Sequence, residues 1–126
     1  MSTSKIILVI EDEHPILLVL RDRLRDEGYR ILEARNGEDG LSIALKEHPD
    51  LIVLDLLMPI MDGISVLRNL REDEWGKTAK VIVLTNLSEN EKLQEAQTFG
   101  VNDYLIKTDW KIEEVIEKIK SKLIES

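Results

Sequence analysis

The sequence predicts an α/β domain of three layers, a five-stranded parallel sheet with helices on both faces. Two observations predict it. Short apolar runs alternate with helix-period segments along the whole chain, and several of those runs are almost continuously apolar, as strands buried on both faces are. A hydrophobic fraction of 43% over 126 residues is also enough for one packed core. A single domain spanning residues 1–126 is therefore expected.

The first strand is read at Lys5–Ile10. A helix follows over Pro15–Glu27, with Pro15 suited to the first turn, Leu17, Leu20 and Leu24 on one face and Gly28 as its stop. Arg30–Ala34 is a second, more polar strand. Asn36 is placed to cap a helix running to about Glu47, with Leu41, Ala44 and Leu45 expected inward and Pro49 beyond its end. The third strand is Leu51–Asp55, and a helix over Gly63–Arg71 turns Ile64, Leu67 and Leu70 to the core. After a polar loop through Gly76, Val81–Leu84 reads as the fourth strand. Ser88-Glu89-Asn90-Glu91 forms a capping box opening a helix to about Phe99, which Gly100 ends. Asp103–Ile106 is the fifth strand. Asp109 is expected to cap a last helix that carries Ile112, Val115, Ile116, Ile119 and Leu123 at helical spacing. Strand–helix alternation of this kind implies right-handed crossovers and a doubly wound sheet.

Composition excludes several classes of function. No cysteine is present, so disulfides and thiolate chemistry are ruled out, consistent with a reducing compartment. No apolar run approaches the roughly 20 residues that span a bilayer, and Met1–Lys5 has no signal-peptide shape; a cytoplasmic protein without membrane contact is expected. The net charge of −8 argues against direct nucleic-acid binding, which requires a basic face.

In doubly wound sheets, ligands sit beyond the carboxyl ends of the strands. The residues there are Glu11 and Asp12 after the first strand, Asp55 at the end of the third, Thr85 after the fourth and Lys107 after the fifth. Arg35, after the second, adds nothing comparable. Carboxylates gathered at one rim resist ionising unless a cation joins them, and magnesium suits such a set, since it takes one or two carboxylates together with waters and phosphate oxygens. If the first and third strands are neighbours, about 4.8 Å apart, Asp12 and Asp55 reach the same ion. Asp55 could then act as a nucleophile toward phosphorus. Around a transferring phosphoryl group Lys107 offers a mobile positive charge and Thr85 a hydroxyl donor. Each residue taken alone has an ordinary structural use; their convergence on the strand ends makes the case.

At these residues the chain resembles the receiver domains of two-component response regulators, the chemotaxis-regulator-like family. Ile7-Leu8-Val9-Ile10-Glu11-Asp12-Glu13 is similar to its first strand and acidic pair. The stretch from Asp50 to Gly63, Asp-Leu-Ile-Val-Leu-Asp-Leu-Leu-Met-Pro-Ile-Met-Asp-Gly, is similar to its phosphoacceptor strand and loop. Val81–Thr85 and Asp103–Lys107 are similar to its fourth and fifth strands, and the likeness covers about Lys5 to Leu123. The resemblance implies a flavodoxin-like strand order of 2-1-3-4-5. It implies a Mg2+ site made by Asp12, Asp55 and the backbone carbonyl of Leu57, with Glu11 acting through water. It further implies phosphorylation of Asp55 by a histidine kinase or phosphotransfer protein, with movement of Thr85 toward the phosphoryl oxygens and an inward turn of Tyr104. The surface of the fourth helix, fifth strand and last helix would then change shape and be read by an output protein, so that the chain works as a signalling switch rather than an enzyme on an external substrate. Receivers that dimerise through the segment around Asn102-Asp103-Tyr104 are faintly resembled, but the last helix lacks the arginines of the usual cross-pairs. A monomer or a weak, phosphorylation-dependent homodimer is expected.

The chain departs from the family pattern at several positions. Thr108 follows Lys107 where proline is usual, and a cis bond before a non-proline residue costs roughly 3 kcal/mol, so a trans Lys107–Thr108 bond is expected. Asn86 stands where a small residue is usual and narrows access. Leu57 and Leu87 occupy the two positions that tune hydrolysis; apolar side chains cannot orient a water, so slow self-dephosphorylation is expected. Trp75 and Trp110 read as partial core or rim residues and His14 as a solvated residue at a helix start. Three rivals share parts of the pattern. A phosphatase of the haloacid-dehalogenase type would want a carboxylate at Leu57, and a flavin carrier would want a phosphate loop where Glu11-Asp12-Glu13-His14-Pro15 stands. A purely structural module would not need the carboxylates, Thr85 and Lys107 together. The cognate kinase, the output partner, and whether the chain stands alone or belongs to a longer protein are left open by the residues.

Overall fold

The structure is a computed structural model and describes residues 4–86, 90–109 and 111–124. Five strands, β1 (Ile6–Ile10), β2 (Arg30–Ala34), β3 (Leu51–Asp55), β4 (Val81–Thr85) and β5 (Tyr104–Ile106), form one parallel sheet in the order β2-β1-β3-β4-β5. The helices between and after them are α1 (His14–Asp26), α2 (Gly37–Glu47), α3 (Gly63–Glu72), α4 (Asn90–Thr98) and α5 (Ile112–Ile124). The expected three-layer, doubly wound architecture and its strand order are both observed.

Strand alternation divides the core in two. Leu8, Ile10, Ile52, Leu54, Val81 and Val83 point to one side and pack with α2, α3 and α4 residues such as Ala44, Leu67, Leu70 and Leu93. Ile7, Val9, Leu51, Val53, Ile82 and Leu84 point to the other and meet Leu17, Leu20 and Leu24 of α1 and Val115, Ile116, Ile119 and Leu123 of α5. Burying both faces explains why β1, β3 and β4 carry no outward polar residues before their last positions.

Local signals account for most boundaries. Asn36 caps α2 as expected, its side chain accepting from the Asp39 N–H at 2.8 Å. Gly28 and Gly100 take positive φ after α1 and α4. His14 is the exposed first residue of α1, and Trp75 is half-buried, stacked on His48 with ring centroids 4.5 Å apart. Two expectations need correction. Leu45 does not face inward: it is 37% exposed. Helix α2 buries Gly37, Gly40 and Ala44 instead, Gly40 lying close on Ile10 of β1 and Gly37 close on Met61 and Val66, and Leu45 is turned about 100° from Ala44. The last helix also starts later than a cap at Asp109 would give, because Lys107–Asp109 form a 3-10 turn and α5 begins at Ile112; what the Asp109 side chain does lies outside the described residues. The capping box at Ser88, as well as Leu87 and Trp110, lies outside the described residues.

The loop from β3 to α3 matters most for function. Asp62 caps α3 by accepting from the Ser65 N–H at 2.8 Å, and the Gly63 N–H donates to the Leu56 carbonyl at 3.0 Å. A side chain at Gly63 would collide with the Asp55 carbonyl 2.5 Å away, so glycine lets the helix start close beneath the end of β3. Between them Ile60 is held at φ 73° and is 73% exposed. A β-branched residue in the left-handed region is strained by roughly 1–3 kcal/mol, and here no burial offsets the strain. Ile60→Asn is expected to stabilise the fold by about 1 kcal/mol, since asparagine tolerates this backbone. An unchanged or lower urea midpoint would show that the strain is not there.

Candidate functional site

The sheet register assembles the site. Ile10 pairs with Leu54, which places Glu11 and Asp55 level with each other at the ends of neighbouring strands. Asp55 itself pairs with Leu84, and Thr85 with Ile106, the residue before Lys107. Four segments far apart in sequence thus meet at one rim because parallel strands end together there.

The side chains converge. Carboxylate oxygens of Glu11, Asp12 and Asp55 lie within 4.8 Å of one another. The Lys107 ammonium donates to Glu11 Oε1 at 2.7 Å, to Glu13 Oε2 at 2.8 Å and to Asp55 Oδ2 at 3.3 Å. The Leu57 N–H donates to Asp55 Oδ1 at 3.3 Å. Glu11, Asp55, Thr85 and Lys107 are the buried polar residues among those described, which is unusual for charged groups and marks the rim as a constructed site. Asp12 is half-buried, and Thr85 is wholly buried at the end of β4. Tyr104 is 42% exposed on β5 and is not turned into the site. The Leu57 side chain is exposed two residues past Asp55, where its apolar surface has nothing to offer a water molecule. All described peptide bonds are trans, Lys107–Thr108 among them, as expected for a bond before threonine.

Charge is unevenly balanced. Burial pushes the Glu11 carboxyl up to about 7; the Lys107 hydrogen bond opposes the rise and the Asp55 charge adds to it. Burial likewise drives Asp55 up to about 6 against the charge of Lys107 and the Leu57 N–H. Burial pulls Lys107 down, but its bonds to Glu11 and Glu13 outweigh that and raise it, so it stays protonated. Glu11 Oε2 is buried without a hydrogen-bond partner. An orphaned buried carboxylate oxygen beside two further carboxylates is the donor set of a hard divalent cation, and the residues present fit one.

Glu13 carries no role in the sequence reading. Its carboxylate reaches Lys107, although as the N-cap of α1 it would ordinarily turn toward the helix. The signal that could have revealed it is a third consecutive acid at the mouth of a strand already bearing two.

Comparison with known proteins agrees with this geometry. The family model described as the response regulator receiver domain matches residues 7–120. Sporulation initiation phosphotransferase F of Bacillus subtilis is 32% identical over 117 residues, covering 93% of this chain and 92% of that protein. A probable transcriptional regulator, ycf27 of Porphyridium aerugineum, is 42% identical over 101 residues, covering 80% of this chain. The chain spans 41% of that regulator's length, and similar fractions of several other curated relatives. Among solved structures, the receiver domain of the Pseudomonas aeruginosa sensor histidine kinase PA1611, which has a magnesium ion coordinated in its active-site cleft, superposes with a TM-score of 0.87 at 28% identity, covering 98% of this chain and all of that one. The chain belongs to the response regulator receiver domain family. Among the described residues, no helix is long and apolar enough to cross a membrane.

The raised carboxylates have a consequence for stability. The folded protein holds the Asp55 proton more tightly than the unfolded chain does, so ionising Asp55 penalises the folded state. That penalty is absent below about pH 4 and grows as pH rises through about 6. Asp55→Asn is therefore expected to stabilise the metal-free protein by roughly 1–3 kcal/mol at pH 8, with the difference vanishing toward pH 4. Thermal denaturation of both forms in EDTA across this range checks it, and a pH-independent difference would contradict the sign.

Proposed function

We propose that this receiver domain is a phosphorylation-controlled switch whose phosphoacceptor is Asp55. The observation that carries the reading is the juxtaposition of Asp55 with Glu11, Asp12 and Lys107 at one rim. Asp12, Asp55 and the Leu57 carbonyl would hold Mg2+, with Glu11 adjoining it, and the ion would supply positive charge to the phosphoryl oxygens and to the carboxylate cluster.

This chain's own residues do the rest. The Leu57 N–H and the Lys107 ammonium orient the Asp55 carboxylate, so that one oxygen faces the donor phosphorus. That oxygen bonds to phosphorus as the donor's phosphorus–oxygen or phosphorus–nitrogen bond breaks, and the donor fragment leaves with that electron pair. Lys107 and the Thr85 hydroxyl then bind the new equatorial oxygens. Drawing Thr85 toward the phosphoryl group vacates space behind it, into which Tyr104 turns from its exposed position. The face of α4, β5 and α5 changes with it, an equilibrium between two packings biased by the new contacts. A histidine kinase or phosphotransfer protein is the donor, and an output protein reads the altered face. Mass spectrometry after incubation with acetyl phosphate and magnesium is expected to show one added phosphoryl group, lost in Asp55→Asn and on omission of the metal. Phosphorylation of Asp55→Asn to the same extent would end the proposal.

Exposure of an apolar Leu57 beside the site supports slow self-dephosphorylation, since its side chain cannot position the attacking water. Leu57→Asn is expected to shorten the phosphoprotein lifetime roughly ten-fold, less than the roughly hundred-fold or more of a positioned general base, because an amide orients the water without taking its proton. Decay followed after removing the donor decides the matter; equal lifetimes count against it.

A further inference from the structure

Lys107 has three ammonium protons and three carboxylate partners, Glu11, Glu13 and Asp55, at 2.7, 2.8 and 3.3 Å. Every donor of the residue that must meet an incoming phosphoryl oxygen is therefore occupied in the resting state. The three contacts differ in what breaking them costs. Glu11 and Asp55 have side chains only 1% and 4% exposed, so either would be left as a buried, unpaired charge. The Glu13 side chain is 44% exposed and can pass into water.

Glu13 also has somewhere else to go. It is the N-cap of α1, yet its side chain makes no capping hydrogen bond, and Pro15 in the first turn contributes no N–H. The free end of the α1 dipole favours a carboxylate, so release from Lys107 carries the Glu13 charge toward a second favourable position rather than into a penalty.

We propose that Glu13 is a latch on Lys107, a positioning residue whose ion pair ties up one ammonium donor at rest and must open before Lys107 can engage the phosphoryl oxygens. The proposal rests on the assignment of Asp55 as phosphoacceptor. The latch opposes phosphorylation and the switched state alike, because both require the same ammonium. Its strength is that of an ion pair with one exposed partner, enough to tune the switch without blocking it.

The test compares native protein, Glu13→Gln and Glu13→Asp for phosphorylation by acetyl phosphate with magnesium, separating the maximal rate from the half-saturating donor concentration. Glutamine removes the charge, and aspartate keeps the charge but shortens the reach. The latch predicts a maximal rate raised roughly two- to five-fold in both variants, the range that such a pair commands, with half-saturation little changed. It also predicts a similarly tighter equilibrium affinity for beryllofluoride with magnesium, a phosphoryl mimic that needs Lys107 but no transfer step. If Glu13 acts only by repelling the anionic donor, Glu13→Gln lowers half-saturation while Glu13→Asp behaves as native, and the latch is overturned. Unchanged rates and affinities in both variants overturn it as well. Failure of the underlying assignment is seen separately, as equal labelling of native protein and Asp55→Asn.

Discussion

One buried ammonium among carboxylates is the constraint on which this domain turns. Lys107 is the cation that Glu11, Glu13 and Asp55 share, and with Asp12 they outnumber it four acids to one. An arrangement of this kind is not a source of stability, since desolvation and mutual repulsion together exceed what one lysine returns. The upward shifts of Glu11 and Asp55 express that deficit directly. Stability must come from elsewhere, and the two apolar layers on either side of β1, β3 and β4 supply it. The same strands that bury those layers end together at the rim. Core and site are thus one construction, with the sheet register bringing the charges into contact and the core tolerating them.

The sequence disclosed what depends on strand ends and little of what depends on rotation or reach. Continuous apolar runs in β1, β3 and β4 announce a sheet covered on both faces, and the residue after each run is placed by that fact alone. Glu11, Asp12, Asp55, Thr85 and Lys107 were legible for this reason. Leu45 was misjudged because periodicity does not reveal that α2 lies close on Ile10 of β1 through Gly40 and close on Met61 and Val66 through Gly37, contacts that set the helix rotation. Glu13 was missed because its role depends on the reach of a flexible side chain across to another strand. Ile60 was missed because its positive φ belongs to a tight turn, closed by the Met61 N–H donating to the Pro59 carbonyl at 2.8 Å, that the residues Met58-Pro59-Ile60-Met61 do not announce. The start of α5 was put too early because Asp109 is a good capping residue in isolation, yet the chain first makes a 3-10 turn after Lys107.

The comparisons and the geometry settle different things. Likeness along residues 7–120 fixes the family, and the strand order agrees with it. Neither supplies the chain's departures, which are read only from its own atoms: Leu57 exposed two residues past Asp55, Thr108 after a trans bond, and Glu13 on the lysine. Family membership is thus a statement about the frame, and these positions are where this chain departs from it.

Several deviations from a comfortable structure lie in or close to the acidic rim, although His48 also holds a positive φ at the far end of α2. Two carboxyls are lifted toward neutral pH, one buried oxygen lacks a partner, a β-branched residue is held at positive φ, and an apolar side chain lies exposed beside them. Such clustering is expected where function, rather than folding, has chosen the residues. For a switch it has a specific use. A ligand shifts an equilibrium only through interactions that differ between the two states, and under the proposed function a resting state burdened with unpaired charge would leave a divalent cation and a phosphoryl group much to relieve. Full neutralisation of the carboxylates at rest would bury the same surface and hold the same sheet, yet it would leave little for either ligand to improve. The strain at the rim is therefore what makes this fold responsive, and the apolar layers beneath it are what make that strain bearable.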